Sequence, residues 1–82
     1  MGENARVKRR FHLTFPEHLA GEPIMFTVGE RFGLVPNLRR ASIEEGSAWA
    51  ILELEGDEEP IGSAVAWLTE QGVTVDRLDE DE

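Results

Sequence analysis

From Val7 to Phe15 the chain alternates. Val7, Phe11, Leu13 and Phe15 fall on one side, and Arg6, Lys8, Arg10, His12 and Thr14 on the other. Arg9 interrupts the apolar side at its outer end. A period of two with aromatic residues predicts a half-buried strand. Pro16 ends it, because proline has no N–H to offer a ladder. The segment PEHLAG reads as a loop, and Pro23 suits the first turn of a helix. Ile24, Val28 and Phe32 then recur every four residues with Met25 beside them, the stripe of a short amphipathic helix that Gly33 stops.

Leu34 to Glu44 reads as a second strand. Pro36 falls inside it, which a sheet tolerates at its edge and not at its centre. EEGS makes a hairpin turn into a third alternating run, Ala48 to Glu55. There Ala50, Leu52 and Leu54 share one face, and Trp49, Ile51, Glu53 and Glu55 the other. Asp57 is placed as an N-cap, with Glu58 and Glu59 favouring the helix dipole behind it. Ile61, Ala64, Val65 and Leu68, flanked by Trp67, form the stripe of the second helix, and Gly72 ends it. VTVDRL is the last strand, with Val73 and Val75 inward.

This order, βαββαβ, predicts an α+β, ferredoxin-like domain: a four-stranded antiparallel sheet with two helices on one face. In the usual strand order, 4-1-3-2, the second strand is an edge, in agreement with Pro36. The order also sets the basic outer face of the first strand against Glu53, Glu55 and Asp76, in cross-strand pairs of about 0.2–1 kcal/mol each.

A chain of 82 residues is one domain. A domain this small buries about 60–65% of its unfolded surface, so association is a plausible source of further stability. Trp49 and Ile51, on a sheet face that no helix covers, are the residues expected at a homodimer interface. Residues 1–5 and 79–82 (DEDE) are expected to be flexible termini. The chain has no cysteine, which excludes disulfides, thiolate metal sites and cysteine nucleophiles. Nothing resembles a signal peptide or a membrane-spanning run, so no membrane insertion and a cytoplasmic location are expected.

The net charge of −9 is uneven. Residues 1–40 hold seven of the eight Lys/Arg and four acids, a net of +3, and the remainder is net −12. Such a field argues against nucleic acid as a partner. The outer faces of the two central strands also carry Trp49 alone among aromatics, too few for an RNA-binding sheet. His12 and His18 stand six residues apart across a proline and have no metal-ligand spacing. Ser42, Ser47 and Ser63 have no activating neighbours in sequence. The expectation is therefore a protein that is not an enzyme, with no catalytic residue, no metal and no cofactor.

The run HLTFPEHLAGEPI, then FGLVPNLRRASIEEG, then WAILELEGDEEPIGSAVAWLTEQGVTVD resembles the NIL domain over about residues 8 to 78. TFP at 14–16, Pro23, Asn37-Leu38, LEGDEE at 54–59, AWL at 66–68 and GVTV at 72–75 carry the likeness by their order and spacing. The resemblance implies a single NIL-like domain at 6–78, here flanked by the short termini. It also implies a ferredoxin-like fold, a dimer and, as in the ATPase subunits of methionine transporters, a regulatory domain that binds methionine. The segment that names the family, Asn-Ile-Leu, reads Asn37-Leu38-Arg39 here. The form NLRRAS…W is similar to the branch outside transporters. In some proteins of that branch the domain accompanies ferredoxin modules implicated in homocysteine formation.

Two functions follow from the resemblance. One is a sensor of methionine or a related sulfur amino acid. The other is an interaction module that docks on a homocysteine-forming enzyme of sulfur metabolism and has no ligand of its own. A zwitterionic amino acid needs an acceptor, a donor and an apolar wall. Edge-strand backbone, Asn37 or Arg39, and Leu38 can supply them. Equally, the arginines can pair with Glu44, Glu45 or Glu53, and Asn37 can merely turn the chain. Arg39 and Arg40 fall on opposite faces unless a bulge intervenes.

Overall fold

The computed structural model describes residues 6–19, 23–44 and 46–78. The two termini expected to be flexible lie outside them. The alternating first run forms β1 (Arg6–Phe15), with Phe11 and Leu13 buried. A short 3-10 turn, Glu17–Leu19, replaces part of the predicted loop. Its last residue donates N–H to the Pro16 carbonyl at 3.0 Å and buries the Leu19 side chain. The first helix, α1 (Ile24–Phe32), begins after Pro23 and stops at Gly33, whose φ of 68° is left-handed. Leu34 N–H then reaches back to the Gly29 carbonyl at 3.2 Å, which satisfies one of the last carbonyls of the helix.

The chain continues through β2 (Val35–Glu44), β3 (Ser47–Asp57), α2 (Glu58–Gln71) and β4 (Thr74–Leu78). The sheet is antiparallel throughout, in the order β2-β3-β1-β4. This is the predicted ferredoxin-like α+β arrangement. One core lies between sheet and helices, and it includes Ile24, Val28, Leu52, Leu54 and Leu68, with Val65 packed against it. Val28, Leu52 and Leu54 are wholly buried, and burying a side chain of this size stabilises by about 1.5–3 kcal/mol.

Two details differ from expectation. β3 runs past Glu55 to Asp57, because Gly56 stays in the ladder opposite Val7. Leu34 fills the space where a side chain at 56 would stand, with Cδ2 only 2.5 Å from an added Cβ. Asp57 occupies the N-cap position of α2, yet its carboxylate makes no cap hydrogen bond. It is also the last residue of the β3 ladder, opposite Arg6.

Candidate site at the edge strand β2

Pro36 sits opposite Leu54 on β2, and β2 is an edge strand, as the proline requires. Up to Leu38 the alternation is regular. Asn37 stands opposite Glu53 on the open face of the sheet, and Leu38 stands opposite Leu52 on the helix face. The register then slips by one residue, so that Arg40 stands opposite Ile51. Arg39 is the extra residue, and its Nη1 lies 3.5 Å from Oε1 of Glu53. Both arginines are therefore on the open face, because the bulge cancels the alternation that would have parted them. Arg10 of β1 approaches the same Glu53 oxygen at 3.7 Å. Glu53 is 8% exposed and is held between cations from both neighbouring strands. The three residues of the predicted ligand segment thus divide: Asn37 and Arg39 on one face, Leu38 on the other.

Leu38 has apolar company. A pocket of about 240 Å³ opens between β2 and the first turn of α1. Leu38, Ala41 and Ile43 of β2 line it together with Met25 and Phe26 of α1. Phe15 and Leu19 also line it. Its rim is unusually apolar for a surface: Phe26 is 67% exposed, Leu38 50% and Ile43 78%. Among the described residues no strand pairs with the outer side of β2, whose backbone groups run beside this rim. Sequence reasoning singles out Leu38 and misses Phe26 and Ile43. The available signal is that Phe26 lies off the Ile24, Val28, Phe32 stripe and still is apolar.

Trp49 and Ile51, expected at an interface because they would stand in water, are half-buried. The His12 ring stacks on Trp49 with centroids 5.3 Å apart and planes at 19°, and Arg40 stands beside Ile51. The apolar surface left in water is at the β2 edge instead. Elsewhere on the open face the predicted cross-strand pairing is present: Lys8 opposite Glu55, His12 opposite Asp76, and Arg6 3.9 Å from Glu55. Among the described residues there is no cluster of three His, Asp or Glu able to hold a metal ion. No described helix is long and apolar enough to cross a membrane.

No curated protein matches the chain. The family model of the NIL domain matches residues 9–77, a span that begins within β1 and ends within β4. The chain belongs to the NIL domain family.

Proposed function

We propose that this domain is a non-catalytic regulatory module that binds a methionine-like amino acid at the β2 edge and works as a homodimer. The observation that carries the reading is the apolar pocket bounded by Leu38, which belongs to the segment that gives the family its name. An unbranched thioether side chain suits an irregular apolar cleft of this size. The ammonium and carboxylate of the ligand would then lie along the β2 edge, where backbone N–H and C=O groups, the Asn37 amide and the Arg39 guanidinium are within the same segment. Arg39 can turn to a carboxylate at little cost. Its side chain is half exposed, its 3.5 Å contact with Glu53 is long for a charge-assisted bond, and Glu53 keeps Arg10. A second copy across the edge would cover Phe26, Leu38 and Ile43 and complete the site. Resemblance to the transporter domains supports sulfur amino acids as the ligand class.

A second reading draws on the same exposed rim. Phe26, Leu38 and Ile43 together form the kind of patch that a partner protein covers. The partner would be an enzyme of sulfur metabolism, and the pocket would take one of its side chains. Titration with methionine, homocysteine and cysteine, followed by calorimetry and by amide NMR, separates the readings. Saturable shifts in residues 34–43, strongest for methionine or homocysteine, support the sensor. No change there at about 1 mM, a concentration matching a binding free energy of about −4 kcal/mol, removes the sensor and leaves the docking module.

A further inference from the structure

Five of the chain's eight lysines and arginines stand on the open face of the sheet. Arg6, Lys8 and Arg10 alternate along β1, and Arg39 and Arg40 lie side by side on β2. Five acids share the face, Glu44, Glu53, Glu55, Asp57 and Asp76, so the net charge of −9 lies wholly off it. Glu44 and Asp57 are at the ends of their strands, opposite Ser47 and Arg6. Around Glu53 cations prevail. Arg10 and Arg39 share one of its oxygens, and Arg40 follows opposite the apolar Ile51. Among the described residues neither the Arg40 guanidinium nor the Lys8 ammonium has an ion pair.

The place of the two neighbouring arginines along β2 has a consequence for a dimer. β2 runs from Val35 to Glu44, so Arg39 and Arg40 are its two middle residues. Two antiparallel edge strands joined in one sheet are related by an axis perpendicular to that sheet, and both open faces then look the same way. A symmetric pairing along the whole of β2 sets the axis beside Arg39 and Arg40. Paired strands lie about 4.8 Å apart, so four guanidinium groups from two copies would gather around the axis. Each Glu53 is already shared with Arg10 and offsets only part of this charge. Like charges directly across paired strands weaken the pairing, and an anion laid over them removes that cost.

We infer, resting on the homodimer proposed above, that the joined open faces dock an acidic segment of a partner protein. Its carboxylates lie over Arg39 and Arg40 of both copies, and it reaches outward to Lys8. An extended segment carries same-side carboxylates about 7 Å apart, and β1 lies two strand spacings, about 10 Å, from β2. Several carboxylates on one chain therefore meet cations that a single small anion cannot span. Arginine is the cation best matched to carboxylates, through paired, charge-assisted hydrogen bonds. Ile51, half-buried beside Arg40, seats an apolar side chain of the segment. A further copy of this chain is a poor occupant, since its open face would set cation on cation. Nucleic acid is disfavoured because its phosphates run beyond this face onto a chain that carries −9. Docking and dimerisation reinforce each other, because the segment binds the paired state better than the single chain.

The test is an amide NMR titration of the whole chain with hexaglutamate, with hexaglutamine as the neutral control, beside sedimentation of the same samples. The expected result is saturable shifts in residues 8–10, 39–41 and 49–53, a larger dimer fraction, and binding of hexaglutamine about tenfold weaker or worse. Raising salt from about 50 to about 300 mM should weaken hexaglutamate several-fold by screening. Arg40→Ala is expected to weaken hexaglutamate about tenfold while methionine binding hardly changes, which separates this face from the ligand site. Ile43→Lys adds a cation yet splits the dimer, and is expected to lose at least as much. The inference is overturned if hexaglutamate at about 10 mM, a very weak-binding regime, moves no resonance in those segments. Equal binding of hexaglutamine or unchanged binding in Arg40→Ala overturns it as well. Inorganic phosphate or hexathymidylate moving the same residues as strongly overturns it in favour of a general anion or nucleic-acid surface. A chain that stays monomeric with and without hexaglutamate removes the dimer and the docking together, whereas a dimer that ignores hexaglutamate removes the docking alone.

Discussion

Arg39 and Glu53 meet across the β2–β3 pair at 3.5 Å, on the open face that alternation from Asn37 already gives Arg39 and that the register slip gives Arg40 as well. Arg10 reaches the same oxygen from the other side at 3.7 Å. Glu53 thus holds together two cations that would otherwise repel each other. Glu53→Gln removes the anion and leaves both arginines facing a neutral amide. The expected loss in denaturant-measured stability is about 1–2 kcal/mol, larger than for either arginine alone. Arg39→Ala, with a half-exposed side chain, should cost less than about 1 kcal/mol. Added salt should recover part of the Glu53→Gln loss by screening the Arg10–Arg39 repulsion. A loss that salt leaves untouched would show that Glu53 acts through packing.

Gly56 offers a sharper steric test. Leu34 is 5% exposed, and its Cδ2 would lie 2.5 Å from a Cβ at 56. Gly56→Ala forces Leu34 or the strand to move, and overpacking of this kind costs about 1–3 kcal/mol. Leu34→Ala in the same chain removes the clashing atoms. In a double-mutant cycle the Gly56→Ala change should then cost much less than it does beside leucine. Additive losses would place the cost in the backbone.

Much of the fold is legible from periodicity alone. Val7, Phe11, Leu13 and Phe15 share a face only if the chain is extended, and Pro36 marks its strand as an edge without any knowledge of contacts. The details of that edge strand are less legible. A bulge such as that at Arg39 depends on the tertiary ladder and has no reliable local signature, so alternation alone puts the two arginines on opposite faces. Trp49 and Ile51 look exposed in sequence, because nothing local shows that the His12 ring stacks on Trp49 from the neighbouring strand. Phe26 and Ile43 escape notice for a related reason: the pocket they line joins α1 to β2, and neither element announces the other in sequence.

Gly62 separates helix propensity from packing. It lies inside α2 with open space around an added Cβ. Gly62→Ala is therefore expected to stabilise the domain by about 0.5–1 kcal/mol, seen as a rise in melting temperature. A fall would mean that the backbone at 62 needs the freedom of glycine.

If the β2 edge takes a methionine-like ligand, Arg39→Ala should weaken its binding roughly ten- to a hundredfold, the loss of one charge-assisted carboxylate contact. The melting temperature of the unliganded protein should hardly move. Arg40 shares the open face with Arg39 but stands opposite the apolar Ile51, one step further along the strand. Arg40→Ala should therefore change binding little. Calorimetry on both variants measures the contrast, and equal losses would mean that general positive charge, not Arg39 itself, attracts the ligand.

The same edge should hold the dimer together. An edge strand of ten residues with Leu38 half exposed and Ile43 largely in water is a surface that proteins rarely leave uncovered. A second copy related by a two-fold axis would bury both residues and Phe26 on each side, since a two-fold contact uses the same patch twice. A charge on that patch costs more when buried than when solvated, so Ile43→Lys should split the dimer without unfolding the protomer. Sedimentation at tens of micromolar, a range set by a modest dimer affinity of about −6 to −7 kcal/mol, should give twice the 9.2 kDa chain mass for the parent and the single mass for the variant. A parent protein that sediments as a monomer would remove the dimer and, with it, the second wall of the proposed ligand site.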